Sequence, residues 1–402
     1  MDEEKILDAI DGMEDEIVRF ARELIQIPSE VPPGNYEPII NYYTNKLKQW
    51  GIEQRVLEKP GLARRKPNVL ATLPGMDGKR TLIFSCHLDT VPGGDGWEPF
   101  SATIRDGKIF GRGAMDSKGA VAAFTMAAKA LKDCGIQMRG NLEVLTFTDD
   151  EIGGEDTWHY IIENQLVKGD YIVSEGGGQA IITRTSSSVM VLEIIVYGRM
   201  THAQTAHTRS RGINAIWKMN KVLNALDRYN QEYEAKTSRI PGLERCYMNL
   251  ALVNGGIPGI WNVFPDKCSV QIEFRIVPEY SPDDVVAEIK DVIRQLQDQD
   301  PDLTADVREL WRVPGYSVPE NLPLIQKLQS AIARVAGKRV PVGGINGFLP
   351  LGHFQKIGVT GVSWNPGPWE ECNLHQKDEF LKIKDLIDGT KIAALTAMDV
   401  LQ

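Results

Sequence analysis

Three short apolar runs that each lead straight into ionisable residues constrain this chain more than any other feature. Thr81–Ser85, Leu142–Thr148 and Tyr171–Ser174 have the length and composition of strands, as does Val69–Leu73. Ala120–Leu131 between them is alanine-rich, apolar at helical spacing and stopped by Gly135. Upstream, residues 3–27 read as one amphipathic helix ending at Pro28, and residues 36–50 repeat the pattern after the Pro32-Pro33-Gly34 loop. Strands alternating with helices of this length predict an α/β layer on a largely parallel sheet. The three runs then deliver His87 and Asp89, the acids Asp149-Asp150-Glu151 before Gly153-Gly154, and Glu175 before Gly176-Gly177-Gly178. Ligand sites of open α/β sheets gather at such C-terminal strand edges.

The pattern changes near residue 187. A long strand over Ser188–Gly198, a helix over 212–229, strands over Tyr247–Val253 and Ser269–Val277, a helix over Ser281–Gln297 and a closing strand at Val307–Trp311 form a ferredoxin-like α+β unit. From about 315 the α/β character returns, with a helix at 322–336, a strand at 359–364 and a final helix at 382–401. The expected organisation is therefore residues 1–186 and 313–402 as one α/β domain, with 187–312 inserted into it.

Only six histidines occur in 402 residues, so their placement carries information. His87 and Asp89, two apart in extended chain, point the same way, and a carboxylate beside an imidazole is the usual support of a metal-bound histidine. Asp116, in Gly111-Arg112-Gly113-Ala114-Met115-Asp116-Ser117-Lys118-Gly119, has two readings: the N-cap of the following helix, which aspartate fills well, or a carboxylate bridging two metals. Three consecutive acids at 149–151 repel one another unless they are solvated or hold cations. Glu175 ends another strand, and His375 lies in Asn373-Leu374-His375-Gln376 before the last helix. Two histidines with carboxylates and no cysteine suit zinc, cobalt or manganese.

These blocks in this order resemble the co-catalytic metallohydrolase family of acetylornithine deacetylase, succinyl-diaminopimelate desuccinylase, aminoacylase and glutamate carboxypeptidase. The resemblance runs from about residue 15 to the end. It implies a zinc-peptidase-like three-layer catalytic domain with an inserted lid and dimerisation domain. It also implies two divalent metal ions: His87 and Glu175 would bind one, Glu151 and His375 the other, and Asp116 would bridge them. Asp89 would orient His87. In the lid, His202 of Gly198-Arg199-Met200-Thr201-His202 would help to hold the scissile carbonyl oxygen, and Asn262 and Arg275 would contact the substrate. His207 reads as a surface residue, His159 and His353 as structural. The implied substrate is an N-acyl amino acid or dipeptide-like amide with a free carboxylate.

Two departures from the family stand out. Asp150 occupies the position of the general base, which is normally glutamate. Aspartate is one methylene shorter, a reach smaller by about 1.5 Å. Gly343-Gly344-Ile345-Asn346-Gly347 lacks an acid that many members carry near the substrate. Five tryptophans (Trp97, Trp158, Trp261, Trp364 and Trp369) lie close to motif segments and would admit a bulky or aromatic substrate where they line the site. Alternatives are a hydrolase of another C–N bond, in an aromatic amine or carbamoyl group, and a silent metal-binding homodimer. A net charge of −9 argues against nucleic-acid or anionic-membrane partners. The acidic start and five cysteines without a CxxC pair lead us to expect a cytoplasmic protein with reduced thiols.

Overall fold

The computed structural model describes residues 2–176, 180–205, 212–347 and 349–402. They form two compact units. One contains the chain up to 184 with 318–343 and 349–402; the other contains 185–317 with 344–348.

The first unit is built on a mixed sheet. Six of its strands run in the order Glu53–Leu57, Asn68–Leu73, Asn141–Phe147, Thr81–His87, Tyr171–Ser174 and Thr360–Ser363. The first two pairings are antiparallel, and the remaining three are parallel. The parallel half is what brings the C-terminal ends of Asn141–Phe147, Thr81–His87 and Tyr171–Ser174 side by side.

Two helices cover this sheet and pack on each other, Lys118–Asp133 and Ile383–Leu401. Every residue from Lys118 to Leu131 is buried. A helix apolar all round belongs in a core, and its alanines allow close approach. At Gly119 a Cβ would stand 2.3 Å from the Ala114 carbonyl oxygen. Phe124 of this helix stacks on Phe84 of strand Thr81–His87, centroids 4.7 Å apart. The N-terminal helix divides in two, Asp2–Gly12 and Glu14–Ile25. Gly12, unfavourable inside a helix, marks the break in what periodicity alone reads as continuous.

The second unit follows strand–helix–strand–strand–helix–strand: Ser188–Tyr197, Ala215–Tyr233, Tyr247–Gly255, Lys267–Ile276, Pro282–Gln299 and Thr304–Val313. Its antiparallel sheet has the order Tyr247–Gly255, Lys267–Ile276, Ser188–Tyr197, Thr304–Val313. Central strand Lys267–Ile276 alternates, with Cys268, Val270, Ile272, Phe274 and Ile276 facing the core, as a one-sided sheet requires. Asn214 and Ser281 cap its helices, Asn214 Oδ1 accepting from the main-chain N–H of Ile216 at 3.0 Å and Ser281 Oγ from that of Asp283 at 3.2 Å. Among the described residues no helix is long and apolar enough to cross a membrane.

Candidate metal centre

Strand Thr81–His87 ends on His87, which is buried. Its Nδ1 lies 3.0 Å from the main-chain oxygen of Asp89 and 3.5 Å from Asp89 Oδ1. That contact turns Nε2 outward, to 3.0 Å from Asp116 Oδ1. Asp89 Oδ2 in turn accepts the main-chain N–H of Glu151 at 3.1 Å. Asp116 Oδ2 lies 2.9 Å from His375 Nε2, which is 3.3 Å from Glu151 Oε1. The two oxygens of Asp116 therefore face two different imidazoles. This removes the cap reading: helix Lys118–Asp133 has Ser117 at its cap position without a side-chain capping bond.

Glu175 follows strand Tyr171–Ser174, its N–H bonded to the Ser85 carbonyl at 2.8 Å. Ligand atoms of His87, Asp150 and Glu175 lie within 4.8 Å of one another, as do those of His87, Asp116 and Glu151. Asp150 thus enters the cluster despite its short side chain. His375 arrives from a loop in which Asn373, His375 and Asp378 all have positive φ, at 56°, 58° and 57°. Backbone strain at three nearby non-glycine residues is typical of functional loops.

Electrostatics show what the cluster lacks. Burial pushes Asp150 up to about 7, against the pull of His87, and holds Glu175 well above the usual carboxylate range. His87 is depressed by burial, but hydrogen bonds to Asp116 and Asp89 outweigh that and raise it. Hydrogen bonds to Asp116 and Glu151 lift His375 to about 10. Glu175 Oε2 is buried with no hydrogen-bond partner. Crowded, desolvated carboxylates with an orphaned oxygen call for compensating positive charge. Two histidines and several carboxylates fit divalent cations of the zinc, cobalt or manganese type.

Two supporting pairs have no local signature in the sequence. Asp149 turns away from its neighbours: its carboxylate accepts from the Tyr36 phenol and pairs with Lys66. Glu379, wholly buried, accepts from Arg112 Nη1 at 2.6 Å, from Met115 N–H at 3.0 Å and from Asp116 N–H at 3.2 Å. It cradles the backbone that presents Asp116. Replacing Arg112 by methionine leaves the buried Glu379 carboxylate without its cation, and should lower stability by roughly 3–5 kcal/mol. Urea denaturation of both proteins checks this.

The model of Peptidase family M20/M25/M40 matches residues 83–399. The chain belongs to this family. M20 membership makes it a metallohydrolase of C–N bonds that works with divalent metal ions. It is similar to the N-formyl-4-amino-5-aminomethyl-2-methylpyrimidine deformylase of Halalkalibacterium halodurans, 24% identical, with 96% of this chain and 95% of the relative covered. Among solved structures it resembles human carnosine dipeptidase 1 (TM-score 0.74, 20% identity, 100% and 99% covered). It also resembles an M20 metallo-carboxypeptidase from Sulfolobus solfataricus (TM-score 0.75, 20% identity, 96% and 100% covered). These likenesses establish the mixed α/β fold of M20 peptidases.

In the second unit of this M20 chain, His202 and Asn262 are neighbours. Asn262 Nδ2 lies 3.4 Å from His202 Nε2, and His202 Nδ1 accepts the Gln204 N–H at 3.2 Å. Arg275 is engaged, by Glu273 at 2.6 Å and by the main-chain oxygen of Asn346 at 3.1 Å. Asn346 belongs to the Gly343–Gly347 stretch that departs from the family pattern, and its side chain accepts from Ser187 Oγ at 2.8 Å. Of the tryptophans near motifs, Trp158 and Trp364 are core. Trp261, beside Asn262, is 91% exposed. His159 and His353 meet edge to face with ring centroids 4.4 Å apart, with Trp158 against both. His207 and Gly177-Gly178 lie outside the described residues.

Proposed function

We propose that this M20 hydrolase cleaves the amide bond of a small N-acyl amino acid or dipeptide-like substrate. The observation that carries this is Asp116 facing His87 with one oxygen and His375 with the other, inside a ring of Asp150, Glu151 and Glu175. His87 and Glu175 would hold one divalent cation and Glu151 and His375 a second, with Asp116 between them, zinc being the first choice and cobalt or manganese the others. Bound there, the cations would bring the pKa of a water towards neutrality and polarise the carbonyl.

The protein's own groups do the rest. Asp89 fixes the tautomer of His87. Asp150 is the general base: it takes the proton of the attacking water and returns it to the leaving nitrogen. From the inserted unit, His202 would stabilise the developing oxyanion, and Asn262 and Arg275 would receive the substrate's carboxylate. Arg275 already has a carboxylate partner in Glu273, so substrate must compete with it or share the guanidinium. The test is a panel of N-acyl amino acids and dipeptides followed by mass spectrometry, with and without chelator, beside the metal content of the purified protein. Cleavage that chelator abolishes and added metal restores supports the reading. No cleavage of any amide sinks it.

One relative favours a second reading. A deformylase of an N-formyl aminopyrimidine aligns over nearly the whole chain, and Trp261 offers an exposed aromatic face beside Asn262. An N-acyl heteroaromatic amine or another C–N bond is then the target. Release of formate or ammonia from such compounds distinguishes this.

The inserted unit is the proposed lid and homodimerisation domain. Edge strand Tyr247–Gly255 carries exposed Leu250, Leu252 and Val253, and Trp217 on helix Ala215–Tyr233 is 72% exposed. An open, apolar edge is a template for a second copy. Light scattering should give the mass of two chains, and Leu252→Lys should reduce it to one. Five free cysteines, four of them buried, fit a cytoplasmic setting.

A further inference from the structure

We propose that Tyr36 and Lys66, acting through Asp149, are positioning residues for Asp150. This rests on the reading of Asp150 as the general base. Asp149 is the residue on which the chain turns out of strand Asn141–Phe147. It adopts a left-handed conformation, φ 59° and ψ 17°, and starts a single turn over Asp150–Ile152. The Asp149 carbonyl accepts the N–H of Gly154 at 2.9 Å, and Gly153 closes the turn at φ 97°. The loop that carries Asp150 and Glu151 therefore begins and closes on one residue.

That residue is tied down from two directions. Tyr36, buried at the start of helix Glu37–Gln49, donates its phenol to Asp149 Oδ1. Lys66, in the segment before strand Asn68–Leu73, places Nζ 2.5 Å from Asp149 Oδ2. Lys66 also reaches Asp156 at 2.9 Å, which Lys59 holds at 2.7 Å. Charge alternates along Lys59, Asp156, Lys66 and Asp149, so Asp149 is neutralised outside the metal cluster. Asp149 is 3% exposed, and this leaves it no route to water.

The short base makes the tether necessary. A glutamate has one more torsion and can correct a shifted backbone by re-aiming its carboxylate. Asp150 lacks that freedom, so a displacement of its Cα passes to its oxygens. Misplacing a reacting group by about 1 Å can cost a hundredfold in rate.

The experiment uses the metal-loaded full-length protein and the amide substrate found in the panel. Tyr36→Phe, which keeps the ring, and Lys66→Met should each lower kcat by roughly tenfold to a hundredfold, with KM and bound metal unchanged. Lys66→Arg should recover most of the loss, and Asp150→Glu should restore rate in the Lys66→Met background. Variants that turn over at the parent rate overturn the proposal, provided that Asp150→Ala is inactive. If Asp150→Ala is as fast as the parent, the base assignment itself fails and the tether goes with it. Loss of metal in Tyr36→Phe would show that the tether serves Glu151 instead, which also overturns the proposal.

Discussion

Asp150→Ala is expected to lower kcat by roughly 10²–10⁴-fold, the range that a positioned general base contributes, while the protein keeps its full metal content. The second half of that expectation matters as much as the first. The Asp150 carboxylate lies as close to His87 and Glu175 as a ligand would. A base and a ligand both fail when truncated, but only the ligand takes metal with it. Kinetics and elemental analysis on one preparation separate the two. Metal loss that matches activity loss would convert Asp150 from base to ligand.

Asp116→Ala should have the largest effect on metal retention. Removing outer-shell partners of metal ligands typically costs about 10–100-fold in affinity. Asp116 serves both halves of the cluster and sits between His87 and His375, so its loss should exceed the top of that range and abolish turnover. His87 and His375 would lose the carboxylate that raises both imidazoles, and their titration should move down towards ordinary histidine values. Elemental analysis after dialysis, with histidine NMR across pH, checks both. A protein that retains two ions without Asp116 would exclude it as the bridge.

Much of the frame was legible because its signals are local. Strands Asn141–Phe147 and Tyr171–Ser174 could be read from apolar runs that stop on acids, and helix Lys118–Asp133 from alanine spacing and Gly135. Asp116 was not decidable, since a helix cap and a bridging ligand ask for the same residue in the same place. The structure removes the cap: the Asp116 oxygens face imidazoles and not the helix amides. The sheet was read as largely parallel, yet Asn68–Leu73 pairs antiparallel with both of its neighbours, and Thr360–Ser363 pairs antiparallel with Ile182–Ser186. Strand direction depends on connections that periodicity does not encode.

The partners of Asp149 and Glu379 were not found at all. Tyr36 lies 113 residues from Asp149, and Arg112 lies 267 from Glu379. No spacing rule spans such distances. The one available signal was the acid run itself, since three adjacent carboxylates do not share a single environment and one of them had to find a cation elsewhere.

The split of the first unit around the inserted one also sets a timetable. His87, Asp116, Glu151 and Glu175 emerge from the ribosome first, and His375 and Glu379 come about 200 residues later. At ordinary elongation rates of 5–20 residues per second the gap lasts roughly 10–40 s. During it the nascent chain holds an acid-rich half-site without its second imidazole or the carboxylate that cradles Asp116. On the proposed ligand assignment, ions met in that interval would be held by an incomplete set, so lasting metallation would wait until the segment that carries His375 has docked.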